Sequence, residues 1–462
     1  MKQIFLVSTL FELVCVSAGI DDGAYDLSYP PSLVRLDRSE RSTQAAVSER
    51  ILLLSNNARI IEQTPSLSGI PGVSRLFSRF DRVIVLNDLV TPQHPSAWEP
   101  EERDLPMLQR LIRREWELGD ESIELILESP QSNPARTLSR VFFDSTLRVH
   151  ADGLMSYGPT RNQLPLTVGQ RMTSLHYLPL VEGLQPLLLS EFDVIPVPLP
   201  TEAFKSVVAE LSSAGDWRSM PSTKQTGFVI GQYLAAMGLV SFQEEDQLHV
   251  EMIERAAASG CERIIFKPHP SAPKSTHHKV MDTAARLNVE LEVATSPTLV
   301  EVALHQLRPH IIVGSFSTAL MTALTVYGID VVAVGTDSLL SRIRPYHNSN
   351  RIPVTIVDWI GSNKSLASAD IQELQLLLEA VAYCMQPDIN PDFRPTAESF
   401  LHSINEHDKK YFNRRRLTRL RLPGGMVQRR NPRNTARIIA KTGYRLLRQS
   451  ADEIIRQRRN SR

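Results

Sequence analysis

Three groups of residues have the types and spacing to do chemistry. Lys267, His269 and Ser271 close the run Arg263-Ile264-Ile265-Phe266-Lys267-Pro268-His269-Pro270-Ser271. Prolines on both sides of His269 limit the ways its backbone relaxes, so the imidazole is presented at the end of an apolar strand. The bland alternative is a surface turn with an incidental histidine. The second group is Gly314-Ser315-Phe316-Ser317-Thr318, lying between a strand and a helix. Glycine allows close backbone approach, and free amides at the positive end of a helix make a ready phosphate site. The competing explanation is N-capping by Ser315 or Ser317. The third is Asp152 beside Gly153 after another strand, a carboxylate placed to serve as a general base or simply a turn aspartate.

The elements that must hold these groups alternate strand and helix. Apolar runs at Gln3 to Val7, Arg50 to Leu54, Arg82 to Leu86, Ser122 to Leu127 and Thr146 to His150 read as strands. A helical period spans Glu101 to Leu118 and stops at Gly119. Further on, Gly227 to Gly231, the run into His269, residues 289–293, His310 to Val313 and Asp330 to Val334 are strands. Ser241 and Glu244 form a capping-box pattern for a helix ending at Gly260, and Ser296-Pro297 is expected to start another with Glu301 near its beginning. This spacing predicts parallel sheets with right-handed crossovers. The expected organisation is a Rossmann-like domain over 1–194, a proline-marked linker over 195–224, and a second Rossmann-like domain over 225–385. C-terminal helices and a basic tail follow over 386–462. Two phosphate-type groups in one α/β domain and a carboxylate in the other describe a cleft between them, a preferred place for ligands.

The chain has 462 residues with 51 Lys/Arg against 51 Asp/Glu, yet eighteen basic residues and only two acids lie from Lys409 onward. The body is therefore net acidic. Cys15, Cys261 and Cys384 are far apart in apolar contexts and fit reduced core thiols, with no disulfide or zinc framework. No apolar run reaches membrane-spanning length. The opening Met1-Lys2-Gln3 and Ile4 to Val16 could pass for a signal peptide, but Glu12 interrupts it, so the expected compartment is the cytoplasm. His94-Pro95 is expected in a loop, His176 and His310 in structural positions, and His277-His278 at a solvated helix start.

Taken in order, Ala151-Asp152-Gly153, His269-Pro270 and Ser317-Thr318 resemble the three signatures of the bacterial polysialyltransferase and sialyltransferase group. Those signatures are an acidic-acidic-Gly motif, a His-Pro motif and a Ser-Ser/Thr motif. The opening Ile4-Phe5-Leu6-Val7-Ser8-Thr9, the segment Gly231-Gln232-Tyr233 and Glu301 add to the similarity, which covers roughly residues 1 to 340. The resemblance implies a GT-B fold, an α/β pair of Rossmann-like domains facing a cleft, with CMP-sialic acid as donor. It implies Asp152 as general base and His269 as the group that contacts and stabilises the departing CMP phosphate. Ser317 and Thr318 would bind the same phosphate, and Glu301 would hold the ribose hydroxyls. Lys267, Ser271, Gly314 and Ser315 belong with them on the donor side. Inversion at the anomeric carbon is the expected outcome. This chain departs from the family at Ala151, where the first acid of the motif would stand.

The chemistry is consistent with that assignment. Displacing CMP builds negative charge on one phosphate, where fixed donors contribute most, while a carboxylate opposite removes the hydroxyl proton. A monophosphate leaving group needs less charge neutralisation than a diphosphate, and the chain has no Asp-x-Asp element, so no metal cofactor is expected. Expected partners are a CMP-sugar donor and a glycan or glycolipid acceptor, with no nucleic acid. The arginine-rich tail suits an anionic membrane surface, which would make the protein peripheral to the inner face of the membrane. Two other readings fit the same residues: a transferase for another CMP-activated acid sugar such as CMP-Kdo, and a non-catalytic protein that keeps the fold, to which Ala151 would point.

Overall fold

The first apolar run becomes β1 (Lys2–Val7), buried along all but its first residue, as a strand covered by helices on both faces must be. In the computed structural model, residues 1–28, 45–58, 61, 66–151, 153–213, 217, 224–269, 277–363 and 367–426 are described. Asp152 and Ser271 lie outside them. A short antiparallel pair, β2 (Leu27–Ser28) and β3 (Ala45–Ala46), precedes β4 (Glu49–Leu54), β5 (Arg82–Val85) and β6 (Ile123–Leu127). Then come β7 (Thr146–Ala151), β8 (Met172–Tyr177) and β9 (Ile195–Pro198). Seven of these form a sheet in the order β5-β4-β1-β6-β7-β8-β9, with every neighbouring pair parallel.

The second sheet contains β10 (Thr226–Ile230), β11 (Arg263–Lys267), β12 (Glu290–Val293), β13 (Ile311–Gly314) and β14 (Asp330–Ala333). Its order is β12-β11-β10-β13-β14, again parallel throughout. Val229, Ile264, Phe266 and Val313 pack with Met252 and Ile253 of the Phe242–Ala258 helix to form its core. Each such buried side chain contributes about 1.5–3 kcal/mol relative to exposure. The chain order reverses between β1 and β6 in one sheet and between β10 and β13 in the other. Beyond the carboxyl ends of those strand pairs lie the crevices where α/β sheets bind ligands. This is the two-lobed α/β architecture expected from the sequence.

Several elements differ from that expectation. Residues 195–198, expected to open a linker, form β9, paired with β8 at the edge of the first sheet. Pro196 and Pro198 are tolerated there because an edge strand has one side free of ladder partners. The following helix, Thr201–Ser212, packs on the Leu10–Asp21 helix of the first lobe and on the Val300–Leu307 helix of the second. That second-lobe helix starts at Val300 rather than at Pro297, with Leu299 as its N-cap. The helices Arg351–Asn363 and Ser368–Met385 return to the first lobe. Ile352 packs on Gly158, where an added Cβ would lie 3.1 Å from Ile352 Cγ1, and Gln375 Oε1 accepts a hydrogen bond from Gln185 N–H at 2.9 Å.

The chain divides into two units, 1–411 and 412–462. In the second, a basic helix spans Arg414–Leu420, and Asn413 Oδ1 caps it by accepting from Arg415 and Arg416 N–H at 3.0 and 3.2 Å. The rest of the expected basic tail, from 427 on, lies outside the described residues. Among the described residues no helix is long and apolar enough to cross a membrane.

Candidate functional site

The crevice between β10 and β13 is spanned by Gln232, two residues past the end of β10. Its side-chain carbonyl, oriented by the donors that face it, accepts from the backbone N–H of Phe316 and of Ser317, both at 3.2 Å. Its own backbone N–H donates to His249 Nε2 at 3.1 Å, which fixes the neutral tautomer of that buried imidazole. Gly231 before it approaches the His-Pro segment so closely that an added Cβ would meet Pro268 Cα at 3.0 Å. Tyr233 after it stacks on the His269 ring, centroids 5.9 Å apart and planes 24° apart. The carboxylate of Glu245 then holds the N–H groups of Leu234 and Ala235. One five-residue segment therefore links the His-Pro loop to the Ser-Thr loop. The segment Gly231-Gln232-Tyr233 stands out in the sequence for its similarity to the family, but no periodicity marks a glutamine that bridges two loops.

His269 is exposed at the mouth of this crevice, and desolvation by the surrounding protein lowers its pKa. Lys267, on the last residue of β11, is buried and donates to the Ser296 carbonyl at 2.5 Å. Burial pulls its pKa down to about 8, opposed by the negative charge of Glu301. Glu301 is only 3% exposed and accepts from Thr322 Oγ1 at 2.9 Å; burial raises its pKa. Neither charged end faces open solvent. The Lys267 bond to Ser296 and the Ser296–Thr298 hydroxyl pair (2.9 Å) hold residues 296–298 in a turn, which delays the helix to Val300.

In the Ser-Thr loop, Gly314 ends β13 and Ser315 is fully buried, its hydroxyl without a partner among the described residues. Ser317 caps the next helix by accepting from Ala319 N–H at 3.3 Å, so the capping explanation holds for it. The amides of Phe316 and Ser317, expected to be free for a phosphate, are instead held by Gln232. Thr318 faces the other lobe. The Leu154 N–H lies 3.4 Å from Thr318 Oγ1, and a Cβ on Gly153 would fall 2.2 Å from the same oxygen. Gly153 also has φ +68°, a left-handed conformation that favours glycine. Only glycine admits the second lobe this near the end of β7.

On the first lobe, the carboxyl end of β6 carries Glu128, whose Oε2 accepts from Ser8 Oγ at 2.9 Å. Ser8 Oγ in turn accepts from Asn57 Nδ2 at 3.0 Å, and Ser8 N–H donates to Glu12 Oε2 at 2.7 Å. Glu128 lines a pocket of about 250 Å³ with Ala151, Ser156, Arg161 and, from the segment that returns to the first lobe, Ser349 and Ile352. Through Gln131 and Asn162 it adjoins a larger groove of about 730 Å³ edged by Arg136, Arg140 and Arg171. Sequence reasoning passed over Glu128, although the rule that points to strand carboxyl ends covers it. His94 caps a short turn, with Nε2 3.0 Å from the Ala58 carbonyl oxygen.

The family model described as alpha-2,8-polysialyltransferase matches residues 3–336. No curated protein sequence matches the chain. Solved structures with a similar course of chain include the GT-B domain of a sialyltransferase from Photobacterium damselae, 12% identical. That likeness covers 70% of this chain and 88% of that one, with a TM-score of 0.36. ADP-heptose LPS heptosyltransferase II of E. coli is 9% identical over 72% of this chain and 84% of that one, TM-score 0.32. MurG of Acinetobacter baumannii is 8% identical over 86% and 98%, TM-score 0.36.

Proposed function

We propose, for a chain that belongs to the alpha-2,8-polysialyltransferase family and is thereby a glycosyltransferase, that it moves sialic acid from CMP-sialic acid to a glycan hydroxyl with inversion. The observation that carries this reading is the meeting of Gly153 and Thr318 across the two lobes. It brings the end of β7, where the acid of the first motif belongs, against the loop that would hold the donor phosphate. In this reading the acceptor oxygen attacks the anomeric carbon as the bond to the CMP phosphate breaks and its electron pair leaves with CMP. The hydroxyl proton passes to Asp152.

His269 and the Ser317–Thr318 hydroxyls receive the charge on the phosphate. Desolvation favours the neutral imidazole in the free protein, and an arriving phosphate shifts the balance toward the charged form. Ser271 completes the His-Pro side. Gly314 and Ser315 shape the loop. Lys267, expected on the donor side, and Glu301, expected to hold the ribose hydroxyls, are buried and in this reading support the loop from beneath, through Ser296 and Thr322. The acceptor lies along the first-lobe pocket and its adjoining groove, long enough to receive more than a terminal sugar. The chain acts without a metal ion, on a glycan or glycolipid, and the basic segment after residue 411 favours an anionic membrane surface.

The test is CMP release from CMP-sialic acid, with CMP-Kdo in parallel, by wild type, Asp152→Asn and His269→Ala. The expected result is turnover of the sialyl donor and a loss of about 10²–10⁴-fold in each variant. Activity that survives both substitutions, or turnover of CMP-Kdo alone, would remove the assignment.

A further inference from the structure

We propose that Glu128 is a second catalytic carboxylate on the acceptor side, standing in for the acid that Ala151 does not supply. The inference rests on the transferase reading above. Three independent observations point to Glu128. It lies directly beyond the carboxyl end of β6, at the point where the strand order of the first sheet reverses, which is where a ligand-facing residue belongs. It lines the same first-lobe pocket as Ala151, whose methyl group contributes no proton acceptor there. Its carboxylate is also oriented before any ligand arrives: Asn57 donates to Ser8, Ser8 donates to Glu128 Oε2, and the Ser8 backbone is pinned by Glu12. A half-buried carboxylate oriented by a fixed hydroxyl is a prepared acceptor for the proton of a substrate hydroxyl.

The step balances with no further reagent. The acceptor O–H forms a hydrogen bond to Glu128, the oxygen bonds to the anomeric carbon, and the sugar–phosphate bond breaks toward CMP. The single proton released is taken by the acceptor-side carboxylates, Glu128 acting with Asp152. The rest of the pocket has the chemistry of a sugar site, with Ser129, Ser132, Ser156 and Ser349 hydroxyls and one cation, Arg161. The acceptor class this selects is a hydroxyl-rich sugar that carries a negative charge.

The experiment compares wild type with Glu128→Gln, Glu128→Asp and Glu128→Ala, measuring CMP release against donor and acceptor concentration, with and without added sodium formate. Glu128→Gln is expected to lose at least 30-fold in kcat with the donor KM within threefold and the melting temperature within about 2 °C. Glu128→Asp should keep a measurable part of the rate, and formate should restore turnover to Glu128→Ala in a saturable manner. A Glu128→Gln rate within threefold of wild type overturns the proposal. So does a loss that formate does not relieve, because Glu128 would then serve only to hold Ser8. The wild-type rate separates the two levels: no turnover in wild type sinks the transferase reading, whereas a wild-type rate matched by Glu128→Gln sinks this inference alone.

Discussion

Both lobes bury charged and polar side chains, but at different heights along their strands. In the first lobe, Gln3, Glu124 and Arg148 sit in the amino-terminal halves of β1, β6 and β7. Gln3 Nε2 donates to Glu124 Oε2 at 2.8 Å, Arg148 Nε donates to Glu124 Oε1 at 3.1 Å, and both donors also hold backbone carbonyls of Ala24 and Tyr25. The Tyr25 ring packs on His176 with centroids 4.4 Å apart, and His150 Nε2 meets the Leu6 carbonyl oxygen at 2.8 Å. This network fastens one loop to one face of a sheet. In the second lobe the candidate site groups, Gln232, His269 and the Ser317–Thr318 loop, lie beyond the carboxyl ends and border an open crevice. Burial of charge is common to both regions. Position along the strand is what separates a fastening from a site.

That contrast breaks most visibly through stability. Glu124→Gln leaves the Arg148 guanidinium buried without its counter-charge, and the expected cost is about 3–5 kcal/mol in denaturant unfolding. Because Glu124 lies near the amino end of β6, away from the carboxyl ends where the site groups lie, kcat/KM of the folded fraction should stay within about twofold. A large loss of turnover with unchanged stability would show that the network reaches the site.

Taken residue by residue, acid gives the next effect in size. Desolvation lowers the pKa of His150 to about 4, of His176 to about 3 and of His249 to about 4. The unfolded chain binds these protons below its ordinary histidine pKa near 6.5, while the folded chain does not until near 4. Stability is therefore full above pH 6.5 and falls as the pH drops toward 4, by at most about 1.4 kcal/mol per pH unit for each histidine. Denaturant midpoints at pH 7.5, 6 and 5 check this. A flat profile would mean that the imidazoles accept protons in place.

The smallest effect expected is none. Exhaustive chelation should leave CMP release unchanged if hydroxyls and an imidazole alone carry the phosphate charge. A rate that falls with EDTA and returns with a divalent cation would contradict that.

Local signals were legible in the sequence, and long-range ones were not. The Ser241–Glu244 capping box forms as its spacing requires, because both partners lie within one turn. The strands ending at Val7, Leu54 and Leu127 and the run into Lys267 stand within a residue or two of where their apolar runs place them. Misjudged elements depend on distant partners. The helix at Val300 starts late because Lys267, thirty-odd residues earlier, holds the Ser296 carbonyl. β9 reads as a linker because prolines break a central strand and are tolerated at an edge. Gln232 stood out only within the Gly231-Gln232-Tyr233 similarity, and its bridging role escaped because its bonds to Phe316 and Ser317 span more than eighty residues. Gly153 was visible as a glycine after a strand, but its reason, the Thr318 hydroxyl facing it, comes from the other lobe.

The most direct measurement is a double-mutant cycle on kcat/KM for CMP release with Gly153→Ala and Thr318→Ala. An added Cβ at Gly153 collides with Thr318 Oγ1, and removing that hydroxyl relieves the worst of the clash. Gly153→Ala alone should cost more than tenfold, and the double variant should be no worse than that single one, a clear departure from additivity. Losses that simply multiply would mean that the two lobes do not meet at this point during turnover, and the shared site would be lost with them.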